Sequence, residues 1–385
     1  MFSYCRSYRF QIPPHPPLEK GGEGGFSSDL IIHGKGLYGL KEPFDVIDCG
    51  NSGTTARLLT GLLSGLPFTV TLDGDESLRK RPMQRVLTPL INAGGIFTNQ
   101  NSGKLPLTVH GQKIQAFNYS LPIPSAQVKS ALIYAALNAT GKSVITEAIP
   151  TRDHSERLAK LSHIRLYKHN NDIIVNPYKH RLMPFRFYVP SDPSAAAFWI
   201  AAALLGNKSK ILLKNVSLNP RRIEMLRVLQ KAGGHIQIQA NKSFPEPMGD
   251  ILVHSSKLKA FSLAKRQIPL LIDEIPLLAL LATQATGVSI LRHLTELKIK
   301  ESDRLTAITE NLSIIGLKST RTDDTLIIEG PQTISGGEAL THGDHRIAMM
   351  MAVAGLISQD GIKIPDPECA KISDPFFFQE ISSLQ

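Results

Sequence analysis

The chain has little cysteine. Its 385 residues hold three, Cys5, Cys49 and Cys369, with no CxxC pair, which excludes a disulfide framework and a zinc knuckle and fits a reducing cytoplasm. Long apolar runs are missing too. The longest, Ala195 to Leu205, is too short to span a bilayer, and residues 1–11 carry Arg6 and Arg9 without the continuous apolar stretch of an export signal. Neither a membrane span nor export is expected. Aromatic residues make up 6% with a single Trp, so no continuous basic and aromatic face is offered to a nucleic acid. Lys and Arg number 43 against 33 Asp and Glu, a formal charge of +10, yet no block of about five or six like charges occurs. Scattered positive charge favours discrete pockets for small anions.

What is present is an ordinary globular composition, 42% hydrophobic and 20% charged, on a chain long enough for two domains with real interiors. Residues 12–28 combine Pro pairs and Gly pairs without apolar periodicity, so 1–28 reads as a disordered tail. From Asp29 onward the chain repeats itself in units of about 60 to 75 residues, each reading helix, strand, helix, strand, strand. The units open at Gly50-Asn51-Ser52-Gly53, Pro124-Ser125-Ala126-Gln127, Ser191-Asp192-Pro193, Asp273-Glu274-Ile275-Pro276 and Gly343-Asp344-His345-Arg346. Second helices are expected at Pro82 to Ala93, from Thr151, at Pro220 to Ala232, and from a polar strand end at Lys300 to Arg304. The first and third stop at Gly94-Gly95 and Gly233-Gly234. The fifth unit is incomplete. Alternating helices and strands give an α/β (α+β) fold, with a hinge at Phe185 to Ser191 between domains 29–188 and 189–385.

Small or polar residues at each opening suit helix caps, and helix N-termini also attract anions. If the first helices stack side by side, their N-termini converge on one cleft. Arg79, Lys80 and Arg81 precede Pro82, where a starting helix prefers acids, a local conflict that points to a ligand contact by one of them. Asp273 reads either as a helix cap or, with Glu301, as one of two carboxylates for proton transfer. His154 and His345 are further proton-transfer candidates.

The stretches GNSGTTARL (50–58), KRPMQRV (80–86), PSAQVKSAL (124–132), TRDHSERL (151–158), DEIPLLALLA (273–282), KESDRL (300–305) and GDHRIAM (343–349) resemble the EPSP synthases, 3-phosphoshikimate 1-carboxyvinyltransferases of the enolpyruvyl transferase fold. The resemblance covers residues 29–385 and implies two domains of βαβαββ units. It implies enolpyruvyl transfer from phosphoenolpyruvate to the 5-hydroxyl of shikimate 3-phosphate, without metal or cofactor, in a cytoplasmic monomer that serves chorismate and aromatic amino acid biosynthesis. By motif, Ser125, Ala126, Gln127, Asp273 and Lys300 correspond to shikimate 3-phosphate contacts. Gly53, Arg81, Gln127, Arg304, Arg346 and Lys371 correspond to phosphoenolpyruvate contacts. Asp273 would take the hydroxyl proton and Glu301 would serve proton transfer at the enol carbon. The family's opening strand and Lys-Ser motif, followed by an Arg, find no match. About a fifth of a complete member, including the strand that would complete the fifth unit, is therefore expected to be missing. The alternative is an impaired fragment that only binds shikimate 3-phosphate or needs a complementing N-terminal polypeptide.

Overall fold

Four of the five helices that open units begin where a short polar side chain satisfies backbone N–H groups left unpaired by helix geometry. The computed structural model describes residues 31–178 and 182–383; the expected tail, 1–28, lies outside them. The first unit runs β1 (Ile47–Asp48), α1 (Gly53–Leu63), β2 (Thr69–Asp73), α2 (Glu76–Lys80), α3 (Gln84–Asn92), β3 (Ile96–Thr98) and β4 (Leu107–His110). The second runs β5 (Asn118–Ser120), α4 (Ala126–Leu137), β6 (Ser143–Thr146), α5 (His154–Leu161), β7 (Leu166–His169) and β8 (Asp172–Val175). Their sheets share one strand order, β1-β2-β4-β3 and β5-β6-β8-β7.

The third unit comprises α6 (Pro193–Leu205), β9 (Lys210–Ser217), α7 (Glu224–Lys231), β10 (His235–Lys242) and β11 (Met248–His254). In the fourth, α8 (Ile268–Leu271) precedes α9 (Ile275–Gln284), β12 (Gly287–Leu291), α10 (Arg304–Ile314), β13 (Thr320–Arg321) and β14 (Leu326–Gly330). The fifth has β15 (Gly337–Glu338), α11 (His345–Gly355) and β16 (Ile362–Lys363), followed by α12 (Phe377–Ser382). In all five, the strand after the first helix pairs in parallel with chain that precedes it: β1 with β2, β5 with β6, Ser191 with Val216, Ser262 with Ile290, β15 with β16. The expected βαβαββ repeat and α/β class are present.

The caps repeat as well. Ser52 accepts from Thr55 N at 3.1 Å, Asp192 from Ser194 N at 2.9 Å, Asp303 from Thr306 N at 3.1 Å and Asp344 from Arg346 N at 2.9 Å. The second helices end alike: Gly94, His163, Gly233 and Gly316, each two residues past its helix, have φ of 92°, 55°, 94° and 82°. The next residue donates five back, as Gly95 N does to Leu90 O and Ile164 N to Ala159 O. His163 therefore occupies a left-handed position that glycine fills in the other three units.

Two apolar cores result, one from Cys49 to Tyr178 and one from Ala196 to Ile381, with residues 182–190 between them in no regular element. The opening helices do pack side by side. Helices α1 and α4 meet so closely that a Cβ on Gly61 would lie 2.0 Å from the Ala131 carbonyl oxygen. Beyond the junction α6, α9 and α11 touch one another, and their apolar surfaces are buried nearly all round. Among the described residues no single helix is long and apolar enough to cross a membrane.

Two local expectations are corrected. Arg79 and Lys80 end α2 and Arg81 caps its C-terminus, where cations suit the helix dipole, so the conflict at Pro82 disappears. The segment before Lys300 is a 3-10 turn, Thr295–Ile299, and not a strand end.

Candidate functional site

The helix mouths converge on Asp273. It is not the cap of α9, because Glu274 holds that position and no side chain bonds the first-turn amides. Asp273 instead meets cations from three units, those of two units at its carboxylate and that of the third at its carbonyl. Arg152 Nη2 donates to Oδ2 in a short bond, Arg304 Nη1 lies 3.4 Å and Lys300 Nζ 3.7 Å from Oδ1, and Arg346 Nη1 donates to the Asp273 carbonyl at 2.9 Å. Burial alone raises a carboxyl pKa, but Lys300, Arg152, Arg346 and Arg304 outweigh it and hold Asp273 well below the usual carboxylate range.

Arg304 is 1% exposed and its guanidinium is heavily engaged. Nε and Nη2 donate to Asp344 at 2.7 and 3.2 Å, and Nη2 also lies 2.5 Å from Glu301 Oε2. Burial opposes that charge, yet Asp344, Glu301 and Asp273 together raise its pKa. Glu301 faces Arg81 Nη1 at 3.4 Å across the junction. Burial pushes its carboxyl up, Arg304 and Arg81 pull it down further, and it stays ionised at neutral pH.

Arg81 turns inward and donates to Asn51 Oδ1 at 2.7 Å, while Arg79 and Lys80 pair outward with Asp73 and Glu76. Gly53 starts α1 beside it. A Cβ there would lie 2.6 Å from Arg57 Nη1, so the absent side chain leaves room for that guanidinium. Gln127, in the first turn of α4, links two mouths: its Oε1 accepts from Arg57 Nη1 at 2.6 Å and its Nε2 donates to Thr54 Oγ1 at 2.9 Å. Ser125 caps α4 and Ala126 begins it.

Gly53, Arg81, Gln127, Asp273, Lys300, Glu301, Arg304 and Arg346 thus share a connected set of contacts, with Ser125 and Ala126 at its α4 edge. Lys371 is not joined to it: exposed in the turn Pro367–Ile372, it pairs with Glu368 at 2.6 Å. His154 bonds Glu246 at 2.7 Å, outside the cluster. Burial and the neighbouring Arg346 lower His345 to about 4, so it is neutral at pH 7 and has no imidazolium proton to donate.

Sequence reasoning missed three members. Arg57 lies one helical turn after Gly53, a spacing that would have found it. Burial, Arg81 and Arg85 lower its pKa to about 10. Arg152 sits within TRDHSERL, two residues before His154, where nothing local distinguishes it from a solvated cation. Asp344, fully buried, holds Arg304's fork while capping α11, two tasks of which only the cap is visible in a chain.

Residues 27–381 match the family described as EPSP synthase (3-phosphoshikimate 1-carboxyvinyltransferase). A 3-phosphoshikimate 1-carboxyvinyltransferase of Bacillus subtilis (strain 168) is 41% identical over 361 residues, which are 93% of this chain and 84% of the relative. One of Enterococcus faecalis (strain ATCC 700802 / V583) is 42% identical over 358 residues, 92% of this chain and 84% of its own. A solved EPSP synthase from Acinetobacter baumannii superimposes with a TM-score of 0.82 at 35% identity, over 98% of this chain and 85% of that one. The enolpyruvyl transferase NikO from Streptomyces tendae shares the fold, with a TM-score of 0.63 at 13% identity over 86% and 76% of the two chains. With the family match, the relatives' identity and the helix mouths gathered on Asp273 in agreement, the chain belongs to the EPSP synthase family.

Proposed function

We propose that the chain transfers the enolpyruvyl group of phosphoenolpyruvate to the 5-hydroxyl of shikimate 3-phosphate, giving 5-enolpyruvylshikimate 3-phosphate and phosphate on the route to chorismate and the aromatic amino acids. The observation that carries this reading is Asp273 ringed by Lys300, Arg152 and Arg304, with Arg346 on its carbonyl. Arg81, Arg152, Lys300, Arg304 and Arg346 outnumber Asp273, Glu301 and Asp344, so the cleft is positive and suited to two anionic substrates.

In this reading Ser125, Ala126, Gln127, Asp273 and Lys300 hold shikimate 3-phosphate. Gly53, Arg81, Gln127, Arg304 and Arg346 hold phosphoenolpyruvate, with Arg forks matching carboxylate and phosphate oxygens, and Lys371 joins them by leaving Glu368, the partner it holds at 2.6 Å outside the cluster. Arg152 and Arg57 join them as cations at the same mouths. The substrate anions draw these cations away from Asp273 and Glu301, which lifts both pKa values toward the range where the carboxylates exchange protons. Asp273 takes the hydroxyl proton as the oxygen bonds to the enol carbon, and a proton passes through Glu301 to the methylene. Elimination then removes a methyl proton and breaks the carbon–oxygen bond to phosphate. Residues 29–188 and 189–385 serve as the two domains, in a cytoplasmic monomer.

Calorimetric titration with shikimate 3-phosphate, then with phosphoenolpyruvate, followed by a phosphate-release assay, tests the reading. Saturable heat with the first ligand and phosphate release only with both are expected. Neither heat nor phosphate from folded protein would sink it.

A further inference from the structure

Arg81 stands at the end of the shortest α-helix of its unit. Helix α2 has five residues, too few to fix a guanidinium by its own stability. What holds it is a pair of docked turns. Asp75 N donates to the Gly50 carbonyl at 3.0 Å and Cys49 N to the Asp73 carbonyl at 2.8 Å. A Cβ on Gly74 would lie 2.6 Å from the Gly50 oxygen, so the turn before α1 and the turn before α2 meet backbone to backbone. Leu78, fully buried, pins the middle of α2.

Asp75 has two tasks in this joint. Its Oδ1 accepts from Leu78 N at 2.7 Å and caps α2, and its Oδ2 accepts from Asn51 Nδ2 at 2.6 Å. A cap needs only the first of these. The second orients an amide. A carboxylate has only acceptors to offer, so Asn51 gives it the nitrogen and turns its oxygen the other way, where that oxygen accepts from Arg81 Nη2 at 2.7 Å. The Asn51 carbonyl takes Arg81 Nη1 at 3.3 Å, and Ser77 Oγ takes Nη2 at 3.3 Å. All these partners belong to the first unit, so the arrangement does not depend on the second domain. Arg81 Nε is buried and, among the described residues, has no hydrogen-bond partner. The guanidinium is therefore held by its Nη atoms with a donor left over for an anion.

We propose that Asp75 is a positioning residue for Arg81: its carboxylate sets the Asn51 amide, the amide sets the guanidinium, and the guanidinium meets phosphoenolpyruvate. Asp75 itself touches no substrate. The last link rests on the proposed function; the relay from Asp75 through Asn51 to Arg81 does not.

Asp75→Asn tests it, because the shape is kept and the hydrogen-bonding sense is reversed. The new Oδ1 still caps Leu78 N, but an amide nitrogen then faces Asn51 Nδ2, so the Asn51 amide turns over and presents a donor to Arg81. Crystal structures of the ligand-free wild type and variant read the relay, and steady-state kinetics with melting curves read its consequence. The variant is expected to melt near wild type, to show Arg81 turned away from Asn51, and to raise KM for phosphoenolpyruvate about tenfold. Its kcat and its KM for shikimate 3-phosphate are expected to stay nearly unchanged. Asn51→Ala is expected to raise the same KM, and Asp75→Asn added to it to change nothing further, since the relay is already cut. Asp75→Ser, which keeps a cap and withdraws the second oxygen, supplies the same reading should Asp75→Asn fail to fold. Arg81 unmoved in the variant, both KM values rising together, or full additivity of the two substitutions overturns the proposal. A displaced Arg81 in a protein whose wild type neither binds nor turns over phosphoenolpyruvate upholds the positioning role and rejects the substrate assignment.

Discussion

Glu147 is buried and Asp273 half-buried, their side chains 1% and 15% exposed; both carboxylates are surrounded by cations from several units, and both are held low. They differ in how fully they are bonded. Glu147 accepts from Lys129 and Lys168 at 3.0 Å, Arg221 at 2.9 Å, and Thr151 N and Oγ1 at 3.1 and 3.0 Å, so its lone pairs are spoken for. Asp273 has one close donor, Arg152, while Arg304 and Lys300 stand off at 3.4 and 3.7 Å. Its charge is balanced but its hydrogen bonding is loose. A saturated carboxylate fixes structure, and an under-bonded one can exchange partners for a ligand. Charge alone does not separate the two.

The sharpest way to break this comparison is to neutralise each carboxylate. Asp273→Asn is expected to lower kcat by about 10²–10⁴-fold while the melting temperature stays close to wild type, read by phosphate release and thermal denaturation. Unchanged turnover would place Asp273 with Glu147 as a structural group. The converse substitution, Glu147→Ala, takes one of two carboxylates from buried Lys129, leaving it Glu156 at 2.8 Å, and removes the acceptor of Lys168 and Arg221; it is expected to cost about 3–5 kcal/mol of stability. Denaturant unfolding measures it, and a loss under about 1 kcal/mol would show that the hub carries little.

Acid sharpens the same contrast. Burial raises the Glu147 carboxyl, but Lys129, Arg221 and Lys168 bring it from 4.5 to about 2. A pKa lowered on folding contributes stability that is complete above the unfolded value and is lost as pH falls through the folded one. The loss therefore falls between pH 4.5 and 2 and amounts to about 3 kcal/mol. Unfolding curves across that window should flatten in Glu147→Gln. His345→Asn should leave that window largely intact, because the His345 contribution is lost higher, between 6.5 and about 4.

Much of this was legible in the chain because its signals are local. Ser52, Asp192, Asp303 and Asp344 cap the helices they precede, and Gly94 and Gly233 end helices where left-handed backbone is required. Repetition of those signals gave the five units and their convergence. What stayed hidden depends on partners far apart in sequence. Arg304 finds Asp344 and Asp273, 40 and 31 residues away, and Arg152 finds Asp273, 121 residues away. Helix α2 was hidden for another reason: at five residues it is too short for periodicity to register, and without it Arg81 looked like the start of a helix instead of the end of one.

The finest form of the comparison uses one substitution twice on one helix. At Gly61 an added methyl meets the Ala131 carbonyl oxygen at 2.0 Å, which is backbone of a packed neighbour and cannot step aside. Helices α1 and α4 must then move apart, and Gly61→Ala is expected to cost about 1–3 kcal/mol of stability. At Gly53 the same methyl meets Arg57 Nη1 at 2.6 Å, the free end of a long side chain. The guanidinium can swing away, but it then leaves Gln127 and the α1 mouth. Gly53→Ala is therefore expected to melt near wild type and to raise KM for phosphoenolpyruvate about tenfold, which corresponds to about 1.4 kcal/mol. Steady-state kinetics and melting curves on the two variants decide it. Loss of stability at Gly53, or an unchanged KM there, would show that Arg57 is packed as rigidly as the Ala131 backbone and serves structure, not the site.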